Sequence, residues 1–379
     1  MRHATGLFAV LAFSSLASAE PSGGFAKAPQ KAPTPPPQPQ AQPAKSPTPA
    51  KQATPAPKAP ATSDAALSES SKMLAPIQVE SLTLTPIVTT KQKVEQDKLI
   101  VLDEAMGKKL VRIHEVADED VNQLTITNKS DQPLFLLAGE VIIGGKQDRI
   151  IGRNAIVPPK KTQTVPVFCV EHGRWDNSGK EFTTAKALAH GRLRGSANFD
   201  TQSEVWKEVA TKNELRKTKS STDTYRKVAT QQSDGTLKKW EQQVDTALGK
   251  LAVDDKAKLV GFAVSVNGKV ATVDVFDNPT LFKKLQAKLV RSYITEAIDV
   301  KKQKDIKVPT ATDVKDFIAD AEKAQEERAY ETDLSESHMK KGMKSAKSRV
   351  MYKSRPKAGA DAAAPAAEAK PVFESYQAR

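Results

Sequence analysis

The chain has 379 residues, a formal net charge of +13 at pH 7, 39% hydrophobic, 5% aromatic and 27% charged residues. One cysteine excludes an internal disulfide framework, and five isolated histidines, at 3, 114, 172, 190 and 338, give no spacing for a metal site. No phosphate-cradling glycine loop, dinucleotide fingerprint, calcium loop or nucleophile elbow is present, so neither metal nor cofactor is expected.

The chain begins with Arg2 and His3, an apolar run from Leu7 to Leu16, and Ala17-Ser18-Ala19. That order predicts a signal peptide over 1–19, cleaved before Glu20, and an exported protein, periplasmic or secreted. Without a cysteine at that point no lipid anchor is expected. No segment approaches the roughly 20 apolar residues of a membrane helix. Residues 20–72 read as a disordered Pro/Ala/Lys-rich linker: 12 of the 24 prolines lie between Pro29 and Pro60, with no large apolar residue to offset the entropy of ordering.

A domain is predicted over 73–330, of α+β class, with an antiparallel β-sandwich-like N-terminal half. "IQVESLTLTPIVTT", "LIVLDEA", "LVRIHEV" and "NQLTITNKSDQPLFLLAGEVII" are rich in Val, Ile, Leu and Thr and are broken every 8 to 12 residues by turn formers. These segments are expected to form one small sandwich or barrel-like sheet over roughly 74–172. From Phe199 the apolar period becomes helical in "FDTQSEVWKEVATKNELRK" and "DGTLKKWEQQVDTALGKL". "GFAVSVNGKVATVDVF" then predicts a hairpin turning at Asn267-Gly268. A long amphipathic helix follows, with Asp277 or Asn278 as cap, Pro279 in the first turn, and Leu281, Phe282, Leu285, Leu289, Tyr293 and Ile294 as its stripe. Beyond residue 330 the pattern dissolves, and 331–379 reads as a disordered tail, basic and then Ala-rich.

The charge is unevenly spread. Residues 27–60 carry five lysines and no acid, and 340–357 carry eight Lys or Arg and no acid, which leaves only +1 for 61–339. A nucleic-acid-binding domain carries its positive footprint on the folded face, and the aromatic content is too low for a stacking platform, so no specific nucleic-acid partner is expected.

Two polar clusters interrupt the strands. In "VPVFCVEHGRW", Val165, Val167, Cys169 and Glu171 share one face, and His172 or Arg174 stands close enough in sequence to activate the Cys169 thiol. The competing reading is a buried, inert cysteine at a core strand end. In "LFLLAGEVIIGGKQDRIIGRN", Leu134, Leu136, Ala138 and Glu140 alternate onto one face, so a buried Glu140 must be paired or protonated, with Gln147, Asp148, Arg149 and Arg153 on offer across the Gly144-Gly145 turn; the competing reading has Glu140 ending the strand in solvent and Arg149 in a surface bridge. Arg192 and Arg194 in "HGRLRGS" read as a phosphate-binding loop or a solvated connector. Gln202 and Trp206, at i and i+4, share a helix face.

Taken together, "LLAGEVIIGGKQDRII", "IVPPKKTQTVPVFCVEHGRW", the Gln202 and Trp206 pair and "GFAVSVNGKVATVDVFDNPTLFKKLQAKLVRSYITEA" resemble the ADP-ribosylglycohydrolase- and rhodanese-phosphatase-associated protein domain family over roughly 74–300. The family's name records association with enzymes of ADP-ribose and phosphate chemistry, and the resemblance implies no activity of the domain's own. Glu140, Gln147, Arg149, Cys169, Glu171, Arg174, Trp175, Gln202 and Trp206 fall in the shared segments. From these residues one reading is a ligand-binding or hydrolytic domain acting on a phosphorylated or nucleotide-like small molecule. In it Glu140, Glu171 and Cys169 are the candidate catalytic groups, and Gln147, Arg149, Arg174, Trp175, Gln202 and Trp206 the candidate ligand contacts. The alternative is a non-catalytic cell-envelope module whose basic tails bind anionic surface polymers.

Overall fold

The computed structural model describes residues 70–91, 98–116, 120–175, 181–230, 234–353 and 369–379. The expected signal peptide over 1–19 and the linker up to residue 69 lie outside the described residues. The chain opens with strands β1 (Ser71–Met73), β2 (Ile77–Val79) and β3 (Leu82–Thr89). Then come β4 (Ile100–Val101), helix α1 (Leu102–Gly107), β5 (Val111–Glu115), β6 (Gln123–Asn128), β7 (Leu134–Leu136) and β8 (Glu140–Ile143). β9 (Arg149–Ile151), β10 (Ala155–Val157), β11 (Thr162–Cys169) and β12 (Thr183–Leu188) complete this run. Five helices follow: α2 (Gly191–Phe199), α3 (Gln202–Leu215), α4 (Arg226–Thr230), α5 (Gly235–Gly249) and α6 (Val253–Ala257). The chain closes with β13 (Leu259–Val266), β14 (Lys269–Phe276), α7 (Pro279–Ala297), α8 (Ala311–Glu322), β15 (Glu326–Glu331), β16 (Ser335–Lys341), β17 (Ser345–Tyr352) and β18 (Lys370–Ala378).

The class is α+β, as predicted, and among the described strands every pairing but β4 with β7 is antiparallel. The partition differs from the expected one. A six-stranded sheet, ordered β12-β8-β9-β11-β6-β5, and a three-stranded sheet, β10-β7-β4, share a core of Ile113, Leu124, Ile126, Leu134, Leu136, Ile151, Val165 and Val167. β3, expected in that group, instead pairs with β13 in a nine-stranded sheet whose main path runs β1-β3-β13-β14-β18-β17-β16-β15. Its strand signal was plain in the residues, but the choice of partner depends on contacts more than 170 positions away in sequence, which local alternation does not encode.

The hairpin β13-β14 turns at Asn267 and Gly268, with φ of 48° and 77°, the left-handed pair that a two-residue turn requires. Asn278 caps α7, its side chain accepting from the Thr280 and Leu281 backbone N–H groups, and Pro279 occupies the first turn. Every member of the expected stripe is buried, and each such side chain contributes about 1.5–3 kcal/mol. α5 and α7 cover one face of the large sheet, where Leu84, Phe262 and Val264 meet Trp240, Val244, Leu285 and Leu289. α8 covers the other, where Ile87 and Ala263 meet Val314 and Ile318.

The tail is the main correction. Residues 335–341, 345–352 and 370–378 are strands, not a disordered extension, and β18 sits inside the sheet between β14 and β17. Lys340, Lys347, Arg349 and Lys353, read as loose basic charge, pair with Glu322, Glu322, Glu326 and Glu331. Residues 354–368 lie outside the described set.

Candidate functional site

The loop between β8 and β9 meets the segment after β11. Gly144 and Gly145 have φ of +119° and +53°, and a Cβ on Gly145 would stand 2.1 Å from Phe182 and 2.7 Å from Glu115. Only glycine permits that approach. The turn aims the Asp148 side chain inward, where it is fully buried and accepts five hydrogen bonds: from Gly144 N–H (3.1 Å), Thr224 Oγ1 (2.8 Å), Arg174 Nη2 (3.2 Å), and Arg226 Nε and Nη2 (2.9 and 2.5 Å). Glu171 Oε2 accepts from Arg174 Nε at 2.8 Å and from the Asp148 N–H at 3.1 Å. Hydrogen bonding to Asp148 raises the Arg226 pKa above its ordinary value. Two carboxylates and two guanidiniums thus form a closed network that pins the loops together.

The sequence-predicted residues divide among three places. Glu171, Gln147, Arg149 and Arg174 come together here. Gln147 donates to the Glu171 carbonyl at 2.8 Å, and its Oε1 accepts from Arg149 Nη1 at 3.3 Å. Cys169 is the cross-strand partner of Arg149, 2% exposed, with Sγ 3.8 Å from the Val121 carbonyl. Burial pushes its thiol pKa up, although the Arg149 charge pulls it down, so it is held as a thiol. Trp175 stands exposed at the rim, with Lys146 Nζ 5.0 Å from its ring centre.

Gln202 and Trp206 do sit on one helix face, and that face docks on the end of β11. The Gln202 amide extends the sheet edge as a substitute strand: its Oε1 accepts from Cys169 N–H (2.9 Å) and its Nε2 donates to Cys169 C=O (2.8 Å). Trp206 packs edge-on to His172 with ring centres 4.5 Å apart. Both side chains hold structure here.

Glu140 is elsewhere. Its carboxylate lies 2.5 Å from Lys288 of α7 and accepts from the Leu137 N–H at 2.9 Å, and Lys288 also meets Asp103 at 2.7 Å. Burial works against the Lys288 charge, but the two carboxylates more than offset it and hold its pKa above the ordinary value. None of Gln147, Asp148, Arg149 or Arg153 serves as the partner of Glu140. The "HGRLRGS" segment is not a loop but mostly helix α2. Arg194 makes a buried bidentate pair with Asp274 at 2.7 and 3.1 Å, whereas Arg192 stays near the surface beside Glu296.

A groove of about 960 Å³ opens beside this cluster. Its walls are β5 and the start of β12, the two edge strands of the six-stranded sheet, so it marks the seam where that sheet fails to close. The end of α1 and the Gly145-Lys146 turn close it off. Lys109, Arg112, Lys129, Lys146 and Lys186 line it against Glu115 and Glu181. Lys109, Arg112, Lys129 and Lys186 carry no ion pair among the described residues. Sequence reasoning missed these cations, along with Glu115 and Arg226 and the central place of Asp148. They come from five separate segments and share no motif; only the Gly-Gly turn beside Asp148 offered a signal.

Among the described residues no group of three or more His, Cys, Asp or Glu is placed to hold a metal ion, and no helix is long and apolar enough to cross a membrane. No curated protein and no solved structure matches the chain. Residues 70–359 match the sequence model of the ARG and Rhodanese-Phosphatase-superfamily-associated Protein domain. That match spans most of the chain and takes in the Asp148 network, the groove and the α7 helix, and the chain belongs to this family.

Proposed function

We propose that the groove between β5 and β12 binds a phosphorylated or nucleotide-like small molecule, and that the domain acts by capture more than by bond cleavage. The observation that carries this reading is the groove's lining: five Lys or Arg side chains against two Glu, four of the cations without an ion pair among the described residues. Such a surface attracts polyanions and offers several donors to phosphate oxygens. Hydrolysis is the weaker half of the reading. Glu140 is locked to Lys288, Glu171 to Arg174 and Asp148 N–H, and Cys169 is a buried thiol, so none of the three stands free to exchange a proton with a substrate. The alternative, anionic envelope polymers held by basic tails, loses support at its C-terminal half, where Lys340, Lys347, Arg349 and Lys353 are ion-paired within the fold. We extend the proposal to an exported protein, periplasmic or secreted, on the pattern of residues 1–19.

The test is isothermal titration of the full chain with pyrophosphate, ADP-ribose and nucleoside diphosphates, repeated on Arg112→Glu and Lys186→Glu. Each reversal is expected to weaken binding by about tenfold, or about 1.4 kcal/mol. A ligand whose affinity ignores both reversals sits elsewhere, and the groove reading then fails.

A further inference from the structure

We infer that Arg149 is a closed anion fork guarded by Glu115, and that the groove's ligand presents a terminal phosphoryl group that takes the place of the Glu115 carboxylate. This rests on the groove reading and adds to it the part of the ligand that enters deepest.

Three guanidiniums lie in this corner of the molecule, and their Nε and Nη2 edges can be compared directly. Arg226 uses that edge to grip both oxygens of Asp148, at 2.9 and 2.5 Å. Arg174 uses it to hold Glu171 at 2.8 Å and Asp148 at 3.2 Å. Arg149 presents the same edge with no hydrogen-bond partner for either nitrogen among the described residues, although the side chain is fully buried. Its hydrogen bonds among the described residues are through Nη1 alone, long ones to Gln147 Oε1 at 3.3 Å and the Asp148 carbonyl at 3.5 Å. Buried N–H donors left in this state cost free energy that hydrogen-bonded ones do not.

The nearest carboxylate is Glu115, whose Oε2 stops 3.9 Å from Arg149 Nη2, beyond hydrogen-bond reach. Its Oε1 accepts from the Lys146 backbone N–H at 2.8 Å. Glu115 also lines the groove, whereas Arg149 does not. The carboxylate therefore stands between the two, one oxygen on the turn and the other short of the fork. Gly145, which a Cβ would drive into Glu115, keeps the turn close enough to hold it there.

Swinging Glu115 toward solvent breaks one backbone contact and opens the fork. A monoanion arriving there replaces one negative charge with another. Either a carboxylate or a phosphate fits the two parallel N–H donors, but a phosphate monoester brings nearly two charges, so its gain over the displaced carboxylate is the larger. The ligand class is then a molecule with a terminal phosphoryl group, its remainder lying along the seam beside Arg112 and Lys186.

The test uses the full chain with methyl phosphate, pyrophosphate and acetate as probes, followed by titration calorimetry. Glu115→Gln keeps the size of the side chain and removes the guarding charge; it is expected to tighten phosphate binding by about tenfold and leave acetate weak. Arg149→Lys is expected to weaken phosphate binding at least as much. If that variant fails to fold by near-UV circular dichroism, the Glu115→Gln result decides alone. Phosphate binding in the wild type that Glu115→Gln leaves unchanged overturns the fork, which is then merely hydrated, while the groove reading stands. Binding of none of the probes by wild type or by Glu115→Gln overturns both.

Discussion

Gln202 was singled out from sequence as a ligand contact, and in the structure its amide is used by the backbone. Its pairing with Trp206 was legible from i, i+4 spacing, but its amide is spent on the Cys169 backbone. Gln202→Ala is expected to leave that donor and acceptor unmet and to cost about 1–3 kcal/mol, read as a lower unfolding midpoint; an unchanged midpoint contradicts the role. His190, passed over as isolated, is buried with Nδ1 2.9 Å from the Tyr225 hydroxyl. Burial, then the charges of Lys212 and Arg192, hold its pKa well below the ordinary 6.5. The folded state thus binds this proton more weakly than the unfolded chain does. The contribution is complete above about pH 6.5 and is lost as pH falls, by up to about 1.4 kcal/mol per pH unit. His190→Gln is expected to flatten that part of the stability profile between pH 7 and 5, and parallel wild-type and variant profiles contradict it. Glu140 marks the limit of legibility: alternation placed it on the core face, but its partner Lys288 lies 148 positions away on α7.

Elements were readable where apolar residues repeat with a period and unreadable where they do not. The β13-β14 hairpin and α7 carry strong local signals and form as expected. β16 and β17 hide theirs, because all their buried positions but Val350 are Ser335, Ser337, Ser345, Ala346, Lys347 and Ser348, residues that seldom mark a core. Charge pairing takes over from apolar burial there. Burial pushes the Glu322 carboxyl up, but Lys347, with hydrogen bonds from Lys340, Lys347 and Tyr376, more than offsets this and brings its pKa down to about 2. β18 is the most consequential of these strands, since it fills the sheet between β14 and β17 and buries Val372, Phe373 and Tyr376. The family match ends at 359, before β18 begins. Truncation after residue 369 removes burial worth about 1.5–3 kcal/mol for each of those side chains, comparable with the whole stability of many domains. The truncated chain is expected to aggregate or unfold at 25 °C; cooperative unfolding at the full-length midpoint contradicts the placement.

Across the described residues, positive charge is used in two ways. One kind, on β16 and β17, is neutralised inside the fold. The other lines the seam between β5 and β12, drawn from segments that local sequence reading treated as unremarkable strand and turn. The folded domain has an almost balanced charge over 61–339, yet the open edges of its six-stranded sheet gather cations into one groove. That concentration is the basis for a phosphate-bearing ligand, and it is directly measurable. Thermal unfolding of the full chain is to be followed with and without pyrophosphate, ADP-ribose and nucleoside diphosphates, beside the Arg112→Glu variant. A ligand at 100 times its dissociation constant adds about 2.7 kcal/mol and is expected to raise the wild-type midpoint by roughly 5–10 °C, with most of the rise lost in Arg112→Glu. A midpoint that none of these anions moves, or one that moves equally in both proteins, contradicts the groove as the binding site.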